Sequence, residues 1–97
     1  MQLYAIRRRD AWSTPGELKA TAERSTAVGT EMPDDVRWIR SYVLLEEDGS
    51  LGTICIYQAT SPEKVREHAQ RVGMPADEIT PVADTVLVRP DPEPAAA

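Results

Sequence analysis

The stretch from Ser61 to Ile79, SPEKVREHAQRVGMPADEI, constrains the fold most, because it marks both ends of one helix. Serine is a residue type that caps a first helical turn, and Pro62 suits the first helical position, where its missing N–H costs nothing. Gly73 is placed for a left-handed cap at the other end. A helix over about 62–72 is therefore predicted. Its apolar stripe consists of Val65, Ala69 and Val72, with His68 at the edge.

A β-hairpin is the second strong prediction. The pair Asp48-Gly49 separates two runs of alternating character, at about 36–46 and 51–59. Asp-Gly in that setting favours a tight turn between antiparallel strands.

The register that this turn implies gives the hairpin two apolar faces. If Glu47 pairs with Ser50, Tyr42 lies opposite Cys55 and Arg40 lies opposite Tyr57. One face is aliphatic and is the expected partner of the helices: Ile39, Val43, Leu45, Ile54 and Ile56. The other face carries Trp38, Arg40, Tyr42, Leu44, Thr53, Cys55, Tyr57 and Ala59. An antiparallel sheet with one wet face should alternate apolar with polar residues. The second face must therefore be covered, and a second copy of the sheet is the simplest cover.

The remaining segments complete the order of elements. Residues 2–9 alternate as a first strand, and Thr14-Pro15-Gly16-Glu17 is a capping box for a first helix that runs to about Val28 and ends at Gly29. Residues 79–88 supply the last strand, strongest over 85–88. The order β-α-β-β-α-β predicts an α+β, ferredoxin-like domain over residues 1–89, with a four-stranded antiparallel sheet and both helices on one face. Residues 90–97, rich in Pro and Ala, are predicted to be a disordered tail.

Charge and composition exclude several classes of function. The net charge of −5 argues against nucleic acid and against anionic membrane surfaces as partners. The only basic run, Arg7 to Arg9, is interpreted as a solvated strand end, with a small anion site as the alternative. Cys55 is the only cysteine, so no disulfide forms within the chain, and it is expected to be buried and inert. No stretch approaches 18 apolar residues and no signal segment is seen, so a soluble cytoplasmic protein is expected.

Two groups of residues are candidates for a functional site. Trp38, Arg40, Tyr42 and Tyr57 combine aromatic rings with a cation, which suits a small planar or anionic ligand, and the alternative is that they pack a dimer interface. His68 is the candidate catalytic acid or base and is expected outside that pocket or at its mouth. The alternative for His68 is a half-buried histidine held by a hydrogen bond. One histidine and one cysteine are too few for a tight zinc-type centre, so no metal site is expected.

Three stretches together resemble a known family. They are LYAIRRR, GTICIYQATSPEKV and VREHAQRVGMPADEI, and the most specific positions are Val65, His68, Gly73, Pro75, Ala76, Asp77, Glu78 and Ile79. Over about residues 2–88 the chain resembles a small bacterial family of nickel-binding-protein-like domains, long classed as a domain of unknown function. The resemblance implies a ferredoxin-like fold that dimerises through its sheets into an α/β barrel. For one branch it implies nickel as a cofactor bound by histidines, of which only His68 carries over.

Three functions stay open from the sequence. The first is a homodimeric small-ligand-binding or metal-binding protein of unassigned biochemical activity. The alternative is a small dimeric α/β-barrel enzyme, isomerase-like or monooxygenase-like, in which His68 acts as acid or base and Tyr57 or Arg40 orients the substrate. The third is a regulatory or scaffolding module that binds another protein.

Overall fold

The computed structural model describes residues 1–93, so the last four residues of the predicted tail lie outside the described residues. The elements are β1 (Gln2–Trp12), α1 (Pro15–Glu31), β2 (Val36–Leu45), β3 (Leu51–Ala59), α2 (Pro62–Val72) and β4 (Glu78–Pro81). The strands form one antiparallel sheet in the order β2-β3-β1-β4. The predicted α+β, ferredoxin-like βαββαβ fold is confirmed. Neither helix among residues 1–93 has the length and apolar character needed to cross a bilayer.

Helix α2 begins and ends as predicted. The hydroxyl of Ser61 accepts a hydrogen bond from the backbone N–H of Lys64 at 3.2 Å, and Gly73 adopts the left-handed conformation with φ of 86°. His68 was predicted at the edge of the apolar stripe. It is fully buried, together with Val65 and the other residues of that stripe. The helix therefore presents a polar ring to the core.

Helix α1 is longer than predicted. Thr14 caps its N-terminus as expected, with Thr14 Oγ1 accepting from the backbone N–H of Glu17 at 3.2 Å. The reciprocal bond of a capping box is shifted by one residue, because Glu17 Oε2 accepts from the backbone N–H of Ser13 at 2.7 Å. The prediction that Gly29 ends the helix is wrong, because the helix continues to Glu31 and Met32 caps it. Met32 is only 5% exposed and packs in the core, and its backbone has left the helical conformation, with φ of −126° and ψ of 45°.

The hairpin forms where predicted, but its register differs from the prediction. Leu45 pairs with Leu51, and the loop is wider than a two-residue turn: Glu46 N–H donates to the carbonyl of Ser50 at 2.9 Å. The carboxylate of Asp48 accepts from the backbone N–H of Ser50 at 2.9 Å, and Gly49 takes a φ of 87°. The side chain of Asp48 thus stabilises this wider loop.

A bulge shifts the register of the hairpin once more. Tyr42 lies opposite Ile54, and the prediction that it faces Cys55 is wrong. Between Trp38 and Arg40 the strand β2 carries one extra residue, so that Trp38 lies opposite Tyr57 and Arg40 does not. Because a shift of one residue moves a side chain to the other face, Trp38 and Arg40 are on opposite faces of the sheet.

The helices cover the face that was predicted to be open. Their side of the sheet carries Tyr4, Ile6 and Arg8 from β1 and Thr53, Cys55, Tyr57 and Ala59 from β3, all buried. The aliphatic Ile54 and Ile56 lie on the other, open face, so the prediction that they pack on the helices is wrong. The physical reason is that α1 presents hydroxyl groups to the sheet. The Ser25 hydroxyl hydrogen-bonds the Tyr57 hydroxyl at 3.1 Å, and Thr21 Oγ1 accepts from the Trp12 indole at 2.8 Å.

Strand β4 is shorter than predicted and ends at Pro81. It pairs with β1 in antiparallel fashion, with Pro81 opposite Tyr4. Because β1 begins at Gln2, only two of its residues lie beyond this pair to bond a longer β4. The prediction of a strand over 85–88 is wrong for this reason, because these residues lie beyond the end of β1 and have no backbone there to pair with. Residues 82–91 instead run along the open face of the sheet.

Candidate functional site

A cavity of about 460 Å³ lies between α1 and the β2–β3 half of the sheet. Its walls are mainly apolar and aromatic side chains with a few hydroxyl groups and two arginines. They are Arg8, Trp12, Leu18, Thr21, Ala22, Ser25, Trp38, Ile39, Arg40, Ser41, Val43, Thr53, Cys55, Tyr57 and Met74. The residues of β2 at its rim are exposed, so the cavity is reached from the β2 edge of the sheet. Among residues 1–93, no carboxylate lines it.

Arg8 is the most unusual residue of this cavity. Its side chain is 0% exposed, and its Nε, Nη1 and Nη2 atoms have no hydrogen-bond partner among the described residues. Its Cζ atom lies 5.8 Å from the centre of the Tyr57 ring, which gives a cation–π contact. The interpretation of Arg8 as part of a solvated strand end is wrong. The alternation of Tyr4, Ile6 and Arg8 along β1 was the signal that places it on the covered face.

The neighbouring arginines of β1 both have acidic partners. Arg7 points to the open face, where its Nη2 lies 2.7 Å from Glu46 Oε1. Arg9 is exposed and its Nη2 lies 3.3 Å from Glu78 Oε1. Within the described chain, Arg8 alone of the three has no such partner.

Tyr57 forms the floor of the cavity. It is 2% exposed, stacks on Trp38 with ring centres 6.1 Å apart and an interplanar angle of 9°, and hydrogen-bonds Ser25 through its hydroxyl. Burial raises the pKa of Tyr57 above its usual value, although the hydrogen bond from Ser25 and the charge of Arg8 oppose that rise. The phenol is therefore neutral at physiological pH.

The four residues of the predicted pocket divide between two places. Trp38 and Tyr57 come together in the cavity, and Arg40 reaches its rim. Tyr42 lies on the open face instead, where its hydroxyl donates to Asp91 at 2.9 Å and accepts from Arg40 Nη1 at 3.3 Å. The bulge in β2 causes this division, because it separates the faces of Trp38 and Tyr42.

His68 is buried behind the cavity. It is 1% exposed, its Nε2 lies 3.2 Å from the backbone carbonyl of Ser25, and its ring meets the edge of Tyr57 with centres 5.5 Å apart. A carbonyl only accepts, so Nε2 carries the hydrogen and Nδ1 the lone pair. Burial lowers the pKa of His68 below its usual value. The Ser25 hydrogen bond opposes that shift, while the charges of Arg8 and Arg71 add to it.

The position of His68 limits what it can do chemically. It lines a second cavity of about 500 Å³, which shares Ser25, Trp38 and Tyr57 with the first, but it does not line the cavity that contains Arg8. Its Nδ1 atom has no hydrogen-bond partner among the described residues. The neutral ring can accept a proton there, but that proton would not face the cavity that Arg8 lines.

The residues of one chain do not fit a nickel centre. Within residues 1–93, no group of three or more His, Cys, Asp or Glu side chains comes close enough to hold a metal ion. The Nε2 atom of His68 is occupied by the Ser25 carbonyl, and Cys55 is buried, with its sulfur 3.0 Å from the Ser41 hydroxyl and 3.3 Å from Thr53 Oγ1. A nickel site normally has several nitrogen or sulfur ligands, and in the described part of the chain neither His68 nor Cys55 has a second such ligand beside it.

Comparisons with known proteins agree with the resemblance seen in the sequence. A search of the curated proteins gives no match. Among solved structures, the chain is similar to SCO4226 from Streptomyces coelicolor A3(2), with a TM-score of 0.69 and 22% identity over 87% of this chain and 99% of that one. That likeness shows the same fold. The sequence profile of one family, described as "Nickel responsive protein SCO4226-like", matches residues 4–82. The chain therefore belongs to the SCO4226-like family of nickel responsive proteins.

Proposed function

We propose that the protein is a homodimeric small-ligand-binding protein and that its ligand lies in the cavity between α1 and the sheet. The observation that carries this proposal is the cavity itself, with stacked rings on its floor and a buried cation in its wall. A concave, mostly apolar site with a few convergent polar groups is the usual form of a small-molecule site. The single, unpaired Cys55 is compatible with a reducing cytoplasm.

The shape of the cavity favours a planar ligand. Trp38 is 42% exposed although its ring stacks on Tyr57, so part of the indole is available at the rim. Trp12 also lines the cavity, and its indole N–H is already bonded to Thr21. A flat molecule that slides past Trp38 would bury its faces against aromatic rings without displacing a hydrogen bond of the protein.

Exposed apolar residues support the dimer. They cluster on β2 and on the segment that follows β4: Trp38, Ile39, Tyr42, Val43, Leu45, Val86, Leu87 and Val88, with exposures from 42% to 85%. A cavity of about 570 Å³ lies between residues 82–91 and the sheet, and Val86, Leu87 and Val88 of this segment remain exposed. A second copy that covers the open face and the β2 edge would bury both groups. This is the dimeric barrel arrangement that the resemblance implies.

The dimer is tested by a charge on the open face. Tyr42→Asp places a carboxylate beside Asp91 in the proposed interface, and we expect a monomer or an aggregate in sedimentation velocity at micromolar concentration. Tyr42→Phe is the matched control: it loses the hydrogen bond to Asp91 but remains apolar, and it should remain a dimer. A wild-type protein that sediments as a monomer would contradict the proposal.

Ligand binding is tested by filling the cavity. Ala22 lines it and Ala20, on the same helix, is exposed, so Ala22→Phe and Ala20→Phe form a matched pair. We expect aromatic fragments, neutral and charged, to bind the wild type in ligand-observed NMR and native mass spectrometry. The Ala22→Phe variant should lose them and the Ala20→Phe variant should keep them. Equal binding of the fragments to both variants would refute this ligand site. The absence of any fragment that binds the wild type would refute it as well.

A further inference from the structure

We propose that Arg8 is the recognition group for a carboxylate on the ligand, so that the cavity selects small aromatic carboxylates. This inference rests on the proposed function, because it assumes that the cavity is the ligand site. It adds the charge and the chemical group that the site requires.

The first argument is the unpaired charge. A guanidinium remains protonated at every pH at which proteins are folded, so burial cannot neutralise it. Arginine is almost never fully buried without a partner, and taking its charge out of water without compensation is costly. Arg8 is 0% exposed, and none of its three side-chain nitrogens has a hydrogen-bond partner among residues 1–93. An anion from outside residues 1–93 is the missing partner.

The acids that contact the neighbouring residues Arg7 and Arg9 are already engaged. Glu46 binds Arg7 on the open face, and Glu78 binds Arg9 at the surface. Asp77 accepts the backbone N–H of Arg9 at 2.6 Å. Along the described chain, the cavity that Arg8 enters has no carboxylate in its walls.

The second argument concerns the kind of anion. A guanidinium presents two parallel N–H groups that match the two oxygens of a carboxylate. A phosphate dianion needs more donors than one buried guanidinium, and the other cation of the cavity, Arg40, is bonded to Asp91 at 3.0 Å. The aromatic side chains Trp12, Trp38 and Tyr57 surround the same space, so the rest of the ligand should be a flat apolar body.

The test uses two probes of equal shape that differ in charge, 1-naphthoate and 1-naphthamide. Calorimetry should show that the wild type prefers naphthoate by about 10- to 100-fold, the range that a hydrogen bond to a charged group is worth. Arg8→Met should remove that preference, because it keeps the length and apolar stem of the side chain without its charge. Arg8→Lys should keep part of it. Arg9→Met, an exposed change on the same strand, should leave it intact.

The Arg8→Met variant is expected to fold, because replacing an unpaired buried charge by an apolar side chain of similar size is often neutral or stabilising. Its thermal melt and circular dichroism confirm this before binding is measured. Failure of Arg8→Met to fold would make Arg8→Lys decisive: a preference for naphthoate in that variant as large as in the wild type would overturn the inference.

The outcomes separate this inference from the proposed function. Equal binding of both probes, abolished by Ala22→Phe, would overturn the role of Arg8 and leave the ligand site standing, whereas binding of neither probe would overturn both. Inorganic phosphate that displaces naphthoate at similar concentration would show a general anion site and contradict the carboxylate. Dissociation of a dimer by Arg8→Met, with unchanged naphthoate binding, would show that a carboxylate of the partner subunit pairs with Arg8 instead.

Discussion

The buried His68 should make the stability of the protein depend on pH in a narrow window. Burial lowers the pKa of its imidazole below 6.5 in the folded state, whereas in the unfolded chain the imidazole titrates near 6.5. As the pH falls through this region, the unfolded state takes up a proton before the folded state does. By linkage, the free energy of unfolding then decreases as the pH falls, and the slope disappears above about pH 7.5, where both states are neutral.

The size of the effect has an upper bound. A single proton difference gives a slope of about 1.4 kcal/mol per pH unit, so the loss between pH 7.5 and 5.5 is at most about 1.4 kcal/mol if the folded imidazole stays neutral throughout. Because His68 is the only histidine, no other imidazole contributes in this window. Carboxylates contribute mainly at lower pH.

The assay is urea unfolding followed by tryptophan fluorescence at pH 7.5, 6.5 and 5.5, in the wild type and in His68→Gln. The glutamine amide can still donate to the carbonyl of Ser25, but it does not titrate. The free energy of unfolding of the wild type should decrease as the pH falls from 7.5 to 5.5, whereas that of the variant should stay constant. The NMR chemical shifts of the imidazole should report the lowered pKa of His68 directly. Equal slopes in the two proteins would refute the reasoning, since the titrating group would then lie elsewhere.

Three further predictions follow from other parts of the structure. Gly52→Ala should destabilise the protein by about 1–3 kcal/mol in urea unfolding, because a Cβ there would lie 2.5 Å from the backbone oxygen of Arg8. At Gly16 a Cβ would make only an ordinary contact, 3.8 Å from Thr14 Oγ1, so Gly16→Ala should be neutral or stabilising. Deleting residues 91–97 should leave the melting temperature within error, because the ion pair of Asp91 with Arg40 is exposed and surface ion pairs contribute little; a fall of several degrees would contradict this. Nickel and zinc should bind more weakly than micromolar in calorimetry, and tight stoichiometric binding that His68→Ala abolishes would restore the nickel site that the resemblance implies.

The site was predicted only in part, and the reason lies in β2. Trp38 and Tyr57 were expected in one pocket and do lie together, because both positions face the helices. Tyr42 was assigned to the same face by simple alternation, which cannot anticipate an extra residue between it and Trp38. Arg8 was placed in a basic run and interpreted as solvated, because arginine at a strand end usually is.

Local signals determined most of the elements of this protein, although not the end of α1 or the extent of the last strand. The caps at Ser61 and Gly73 depend on hydrogen bonds and φ angles within a few residues of each helix end, and the Asp48-Gly49 loop depends only on its neighbours. These short-range effects are contained in the sequence itself. Together with the order of elements, they were sufficient to predict the ferredoxin-like arrangement, because chain connectivity and handedness leave few alternatives.

Tertiary structure alone decided which face of the sheet is buried. Both faces of β3 are apolar enough for a core, so alternation could not choose between Ile56 and Tyr57. The choice depended on partners distant in sequence: the hydroxyl of Ser25 satisfies the phenol of Tyr57, and α1 has no broad aliphatic stripe to receive the isoleucines. The same choice carried Arg8 into the interior, because its place on β1, opposite Thr53, puts it on the covered face whatever its charge, and its guanidinium lies over the Tyr57 ring. Long-range packing and hydrogen bonding thus converted a strand-end arginine into the buried cation of the site.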